Sequence, residues 1–192
     1  MENYLEINRK SWNAKVEPHL KSDFYFVDEF LNGRTSLNSI ELEILGDVSG
    51  KEILHLQCHF GQDSISLSRM GAKVTGIDLS DKAIEAAKEL AQECGTDTHF
   101  LVSDVYELPK ILDKKFDIVY TSYGTIGWLP DLEKWAAVVS HFLKPGGKFV
   151  FVELHPVGWM YDDDFTHLKY SYFNEMPIVE IEEGTYANQS AD

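Results

Sequence analysis

Between residues 51 and 154 short apolar runs alternate with amphipathic helical segments, and few folds accept that order. The runs occupy residues 51–57, 73–78, 99–102, 116–121 and 148–154. A Ser-rich helical segment, 62–70, follows the first and ends at Gly71. Ser80 stands where it can cap a helix whose apolar face is Ala83, Ile84, Ala87, Leu90 and Ala91, closed by Gly95. Asp131 can cap another, carrying Leu132, Trp135, Val138, Val139 and Phe142. Pro145, Gly146 and Gly147 then force a turn into the last run. The runs are short and continuously apolar, as in strands that helices cover on both faces of a parallel sheet. The expected fold is therefore α/β, doubly wound and mainly parallel, and right-handed crossovers leave few strand orders.

The flanks read differently. In residues 3–16, Tyr4, Ile7 and Trp12 form a partial helical stripe that Pro18 should stop. An aromatic cluster follows at Phe24, Tyr25, Phe26 and Phe30. Leu37, Ile40, Ile44 and Leu45 recur at helical spacing before Gly46 and Gly50. Residues 153–192 hold nine acids against one base, Lys169, so over half of the formal charge of −15 lies in the last fifth. Within it, residues 170–173 and 178–181 are spaced for a hairpin around Asn174 and Pro177. At 192 residues the length favours one domain, with a helical segment 1–50, an α/β core 51–156 and an acidic segment 157–192. The net charge makes nucleic acid and anionic membrane unexpected partners. Two cysteines, Cys58 and Cys94, provide no disulfide framework, the first residues hold no apolar signal region, and no run approaches membrane-spanning length. The expected compartment is the cytoplasm.

In a sheet of this kind ligands bind beyond the carboxyl ends of the strands, where strand order reverses. Two carboxylates fall there. Asp78 ends the second run, 17 residues after Gly61, and can accept hydrogen bonds from a ribose diol. Asp104 follows the third and can accept from an exocyclic amine. Either residue alone could be a helix cap or a solvated loop acid; in register at adjacent strand ends they favour a ligand. The loop after the first run holds one glycine, Gly61, with Gln57 and His59 where a G-x-G-x-x-G cradle has others. That argues against a pyrophosphate and suits a nucleoside.

Five motifs in order carry a resemblance over about residues 38–156. They are Leu54 to Gly61, Val74 to Asp78 with Leu79 and Ser80, Ser103-Asp104-Val105, Phe116 to Val119, and Leu143 to Lys148. The chain resembles class I S-adenosylmethionine (SAM)-dependent methyltransferases. The resemblance implies a Rossmann-like sheet of order 3-2-1-4-5, residues 1–50 as a helical cap or lid, and SAM as cofactor, with S-adenosylhomocysteine (SAH) as product. It implies a cofactor site at Gln57, His59, Gly61, Asp78, Leu79, Ser80, Asp104, Val105 and Ser122. Two features depart from the family. His55 replaces the acid of the first motif, which in the family helps hold the methionine amino end, and Gln57 or His59 is expected to stand in. The closing strands after the fifth are missing or truncated, which leaves an edge to be covered.

The implied function is transfer of a methyl group to a small-molecule acceptor by in-line displacement, with position and dryness as the protein's main contribution. Candidate bases are His155 and Tyr123. The acceptor pocket is expected among Trp12, Tyr25, Tyr123, Trp128 and His155, with Phe24, Trp159 and Tyr161 nearby. No metal is expected: Cys58 reads as a small buried residue, and Asp162 to Asp164 as a solvated turn. The expected partners are the small-molecule acceptor and, as one option, a second copy in a homodimer. Two rivals remain. A non-catalytic nucleoside-binding protein is favoured by the altered first motif; a nicotinamide dehydrogenase is disfavoured by the absent glycines.

Overall fold

In the computed structural model, residues 4–162, 164–174 and 184–188 are described. Three helices come first, α1 (Tyr4–Leu20), α2 (Val27–Leu31) and α3 (Ser39–Leu45). The alternating core follows: β1 (Glu52–Leu56), α4 (Gln62–Arg69), β2 (Lys73–Asp78), α5 (Asp81–Glu93), β3 (His99–Val102), α6 (Leu108–Ile111), β4 (Phe116–Ser122), α7 (Leu132–Phe142) and β5 (Leu143–Val152). All strand pairs are parallel and the sheet order is β3-β2-β1-β4-β5, as expected. The order reverses between β1 and β4, which places the ligand-binding crevice at their carboxyl ends.

Alternation along each strand sends side chains to two helical layers. Ile53, Val74, Ile118, Tyr120 and Val150 pack with Leu37, Leu45, Val48 and Leu67. Leu54, Leu56, Ile77 and Val119 pack on the other side with Leu108, Trp135, Val138, Val139 and Phe142. A third cluster, including Val16, Phe30, Phe60, Ile84, Ala87 and Phe100, fastens the first helices to α4 and α5. The expected caps form: the Ala83 amide donates to Ser80 Oγ at 3.0 Å and the Lys134 amide to Asp131 Oδ1 at 3.0 Å.

Three local expectations are corrected, and α3 buries a face that helical spacing alone does not give. Pro18 does not stop α1, which runs to Leu20; the ring removes one N–H, and the Lys21 amide still bonds Glu17 O at 3.2 Å. In α3 the buried face is Glu41 and Leu45, whereas Ile40 and Ile44 are exposed. Glu41 turns inward because Asn38 Nδ2 donates to its Oε1 at 3.3 Å and Tyr123 lies beside it. The fifth strand starts at Leu143, because Leu143 already pairs with Phe116 and residues 144–147 bulge out before Lys148 pairs with Ile118. Residues 170–173 form no strand, since the Asn174 amide closes a turn onto Ser171 O. The other arm of the expected hairpin, 178–181, lies outside the described residues. Among the described residues β5 has no neighbour on its outer side, so Phe149 and Phe151 stay half-exposed against Trp135.

Candidate functional site

At the carboxyl ends of the strands a cavity of about 990 Å³ opens, with α1 as one wall. That is the upper range for small-ligand sites and holds a nucleoside-sized molecule with a second small one. The loop leaving β1 shapes its floor. Gln57, His59 and Gly61 all take left-handed backbone, with φ of 56°, 50° and 77°. The loop thus keeps a glycine-type path at the expected glycine positions, although two of them carry side chains. Each such residue costs about 1–2 kcal/mol, and strain of this kind persists only where neighbours hold it. Here Gln57 Nε2 donates to Thr125 O at 2.9 Å, the Cys58 amide to Ile77 O at 2.9 Å, and the His59 amide to Asp78 Oδ2 at 2.8 Å.

The Asp78 carboxylate therefore links the loop to β2, and its second oxygen accepts from the Ser80 amide at 2.8 Å. Burial pushes its pKa up, against the opposing pull of the Ser80, His59 and Leu79 amides. Each oxygen keeps further lone-pair capacity for a ligand hydroxyl. Asp104 lines the same cavity, accepts from the Tyr106 amide at 3.1 Å, and is likewise raised by burial.

The cavity brings together Gln57, His59, Gly61, Asp78, Leu79, Asp104, Val105 and Ser122 with Trp12, Tyr25, Tyr123 and Trp128. Two expected members lie elsewhere. Ser80 is fully buried, and its hydroxyl both caps α5 and donates to Asn13 Oδ1 at 2.6 Å, tying α1 to the core. His155 is exposed on a neighbouring groove, where its Nδ1 accepts from the Val157 amide at 3.2 Å. Tyr123 is pushed up to about 12, first by burial and then by its bond to Glu41, so its hydroxyl stays protonated at neutral pH. Among the described residues no group of three or more His, Cys, Asp or Glu is placed to hold a metal ion.

Several site residues carried no local signal. Asp63 Oδ1 accepts from Ser36 Oγ at 2.6 Å, and Oδ2 from Tyr120 OH and Ser122 Oγ, both at 3.1 Å. Glu153 accepts from the amides of Thr125 and Leu154 at 2.8 and 2.7 Å and of Ile126 at 3.4 Å. Burial alone would raise Glu153, but the amides of Gly124, Leu154, Thr125 and Ile126 hold it below the usual carboxylate range. It fixes the loop that carries Trp128.

On the cap side, His19 Nδ1 and His59 Nε2 share a hydrogen bond of 3.0 Å inside a cluster of Trp12, Tyr25 and Tyr186. Burial, aided by the nearby Lys15 charge, holds His19 down to about 4; burial, His19 and Lys15 hold His59 down to about 3. Both rings are thus neutral in the fold, whereas the unfolded chain binds their protons below about 6.5. Their stabilisation is complete above that value and is lost as pH falls toward 4 and 3, with a slope of up to about 1.4 kcal/mol per pH unit for each ring. Urea midpoints at pH 7.5 and 5.0 should fall more steeply for the wild type than for His19→Gln. Equal falls would contradict the buried neutral pair.

Residues 53–147 match the family model described as a methyltransferase domain. A solved SAM-dependent methyltransferase from Mesorhizobium loti superposes with a TM-score of 0.55 at 30% identity, over 69% of this chain and 58% of that one. The chain belongs to the class I SAM-dependent methyltransferases. An uncharacterized methyltransferase of Synechocystis sp. is 34% identical over 133 residues, covering 68% of this chain and 60% of that protein. The sterol 4-C-methyltransferase of Caenorhabditis elegans is 26% identical over 208 residues, covering 91% and 61%. This methyltransferase chain spans about three fifths of the length of these curated relatives. Its glycine-poor loop nonetheless keeps a left-handed path at Gln57, His59 and Gly61, and Asp78 and Asp104 line the cavity beside it.

Proposed function

We propose that this methyltransferase moves a methyl group from SAM to a small-molecule acceptor by in-line displacement. The observation that carries the reading is the left-handed run at Gln57, His59 and Gly61, bound through the His59 amide to a cavity-lining Asp78. Asp78 accepts from the ribose hydroxyls and Asp104 from the adenine amine, with Leu79 and Val105 beside the base and Ser122 near the methionine end. Bound SAM supplies a methyl already activated on a sulfonium. The residues of this chain then need to orient the acceptor and exclude water.

Residues 1–50 serve as the cap over the core 51–156. Trp12 supports this, because its ring stands edge-on to both His59 and Trp128 at 5.3 Å and spans the loops after β1 and β4. Tyr25, Tyr123 and Trp128 form the acceptor side. A general base enters only if the acceptor must lose a proton. The relative named for sterol methylation supports a small-molecule acceptor. We place the reaction in the cytoplasm, supported by two free cysteines; among the described residues no helix is long and apolar enough to cross a membrane.

The test is incubation of the chain with methyl-labelled SAM and a fractionated extract of small molecules. Label is expected on a dialysable product. Label confined to SAM with every fraction, while SAH still binds, would favour the non-catalytic nucleoside binder.

A further inference from the structure

Within the cavity Asp63 is a carboxylate without a cation. Its three partners, Ser36, Tyr120 and Ser122, are neutral hydroxyls, and among the described residues it makes no ion pair. Its charge acts on Tyr25, Tyr120 and Tyr123, all of which it pushes toward the protonated form. A charge fixed by hydroxyls in a partly buried wall is costly unless something neutralises it. It is also an oriented receptor for a positive group.

A second, independent acceptor lies on the same wall. Gln57 Nε2 is committed to Thr125 O, which fixes the amide, and leaves Oε1 buried with no hydrogen-bond partner. Both residues reach the carboxyl end of β4, Asp63 through Ser122 and Gln57 through the loop at Thr125. His55, the side chain under this wall, offers no negative charge: burial holds its pKa down, and its Nδ1 bonds Ser64 Oγ at 2.8 Å.

We propose that Asp63 is the cation-recognising residue of the site and, with Gln57 Oε1, holds the α-ammonium at the methionine end of SAM. An ammonium has three N–H donors and no acceptor, which matches one charged oxygen pair and one orphan carbonyl. The role sits on α4, so it needs no acid on β1. This assignment rests on SAM being the ligand.

The experiment is a calorimetric comparison of SAH with its des-amino analogue, which keeps the carboxylate, ribose and adenine but has hydrogen in place of the ammonium. Wild type is expected to bind SAH about ten- to a hundredfold tighter than the analogue, the range for a hydrogen bond to a charged group. Asp63→Asn should lose that preference, with SAH affinity falling to near that of the analogue and analogue affinity unchanged within about twofold. Equal weakening of both ligands, or a preference retained in the variant, would overturn the role of Asp63. Should the variant not fold, absence of the preference in wild type overturns it equally. Wild type binding neither ligand would instead overturn the SAM reading on which it rests.

Discussion

Replacing Gly61 with alanine should lower the unfolding free energy by about 2–5 kcal/mol, the sum of a left-handed backbone penalty and forced overpacking. Gly61 has φ of 77°, and a Cβ placed there would lie 2.5 Å from Phe100 Cζ and 3.0 Å from the Ala87 Cβ. Phe100 is itself buried in the cluster that joins α1, α4 and α5, so its ring has nowhere to retreat. Gln57 and His59 share the left-handed backbone, yet their side chains have space and partners. Thermal melts of the two proteins should differ by roughly 5–20 °C for a chain of this size. A difference under about 0.5 kcal/mol, the range of an ordinary surface change, would contradict the close approach of α4 to β3.

Asp78→Ala should weaken SAH binding by about 1.5–3 kcal/mol, roughly ten- to a hundredfold, as expected for hydrogen bonds to a charged group. Two effects add. In the proposed cofactor site the ribose loses its acceptor, and the His59 and Ser80 amides lose theirs, which releases the strained loop. The variant should keep its secondary structure, because Asp78 ends β2 and its neighbours Ile77 and Val74 still fill the core. Unchanged affinity would remove Asp78 from the cofactor site. Loss of helical and sheet content would assign it to folding.

The sheet was legible because its strands are short apolar runs whose order leaves few topologies, and the caps at Ser80 and Asp131 announce helix starts locally. Ser80 also shows the limit of that reading. Its place beside Asp78 suggests a ligand contact, but its hydroxyl is used up by the helix start and by Asn13, 67 residues away. The buried face of α3 was legible only in part. Of the apolar residues at helical spacing Leu37 and Leu45 are buried and Ile40 and Ile44 exposed, while a bond network through Asn38 and Tyr123 turns Glu41 inward. Asp63 and His19 gave no signal at all. Asp63 gains its meaning from Ser36, Tyr120 and Ser122, between 27 and 59 residues away. His19 gains its meaning from His59, 40 residues on. Such pairings exist only after the sheet has brought the strand ends together.

The central claim is that a loop poor in glycine still forms a SAM site. The most direct measurement is a calorimetric titration of the wild-type chain with SAH, with NADH as the control ligand. The expected result is one saturable site for SAH and no saturable heat for NADH. Saturation by NADH with none by SAH, or by neither, would contradict it.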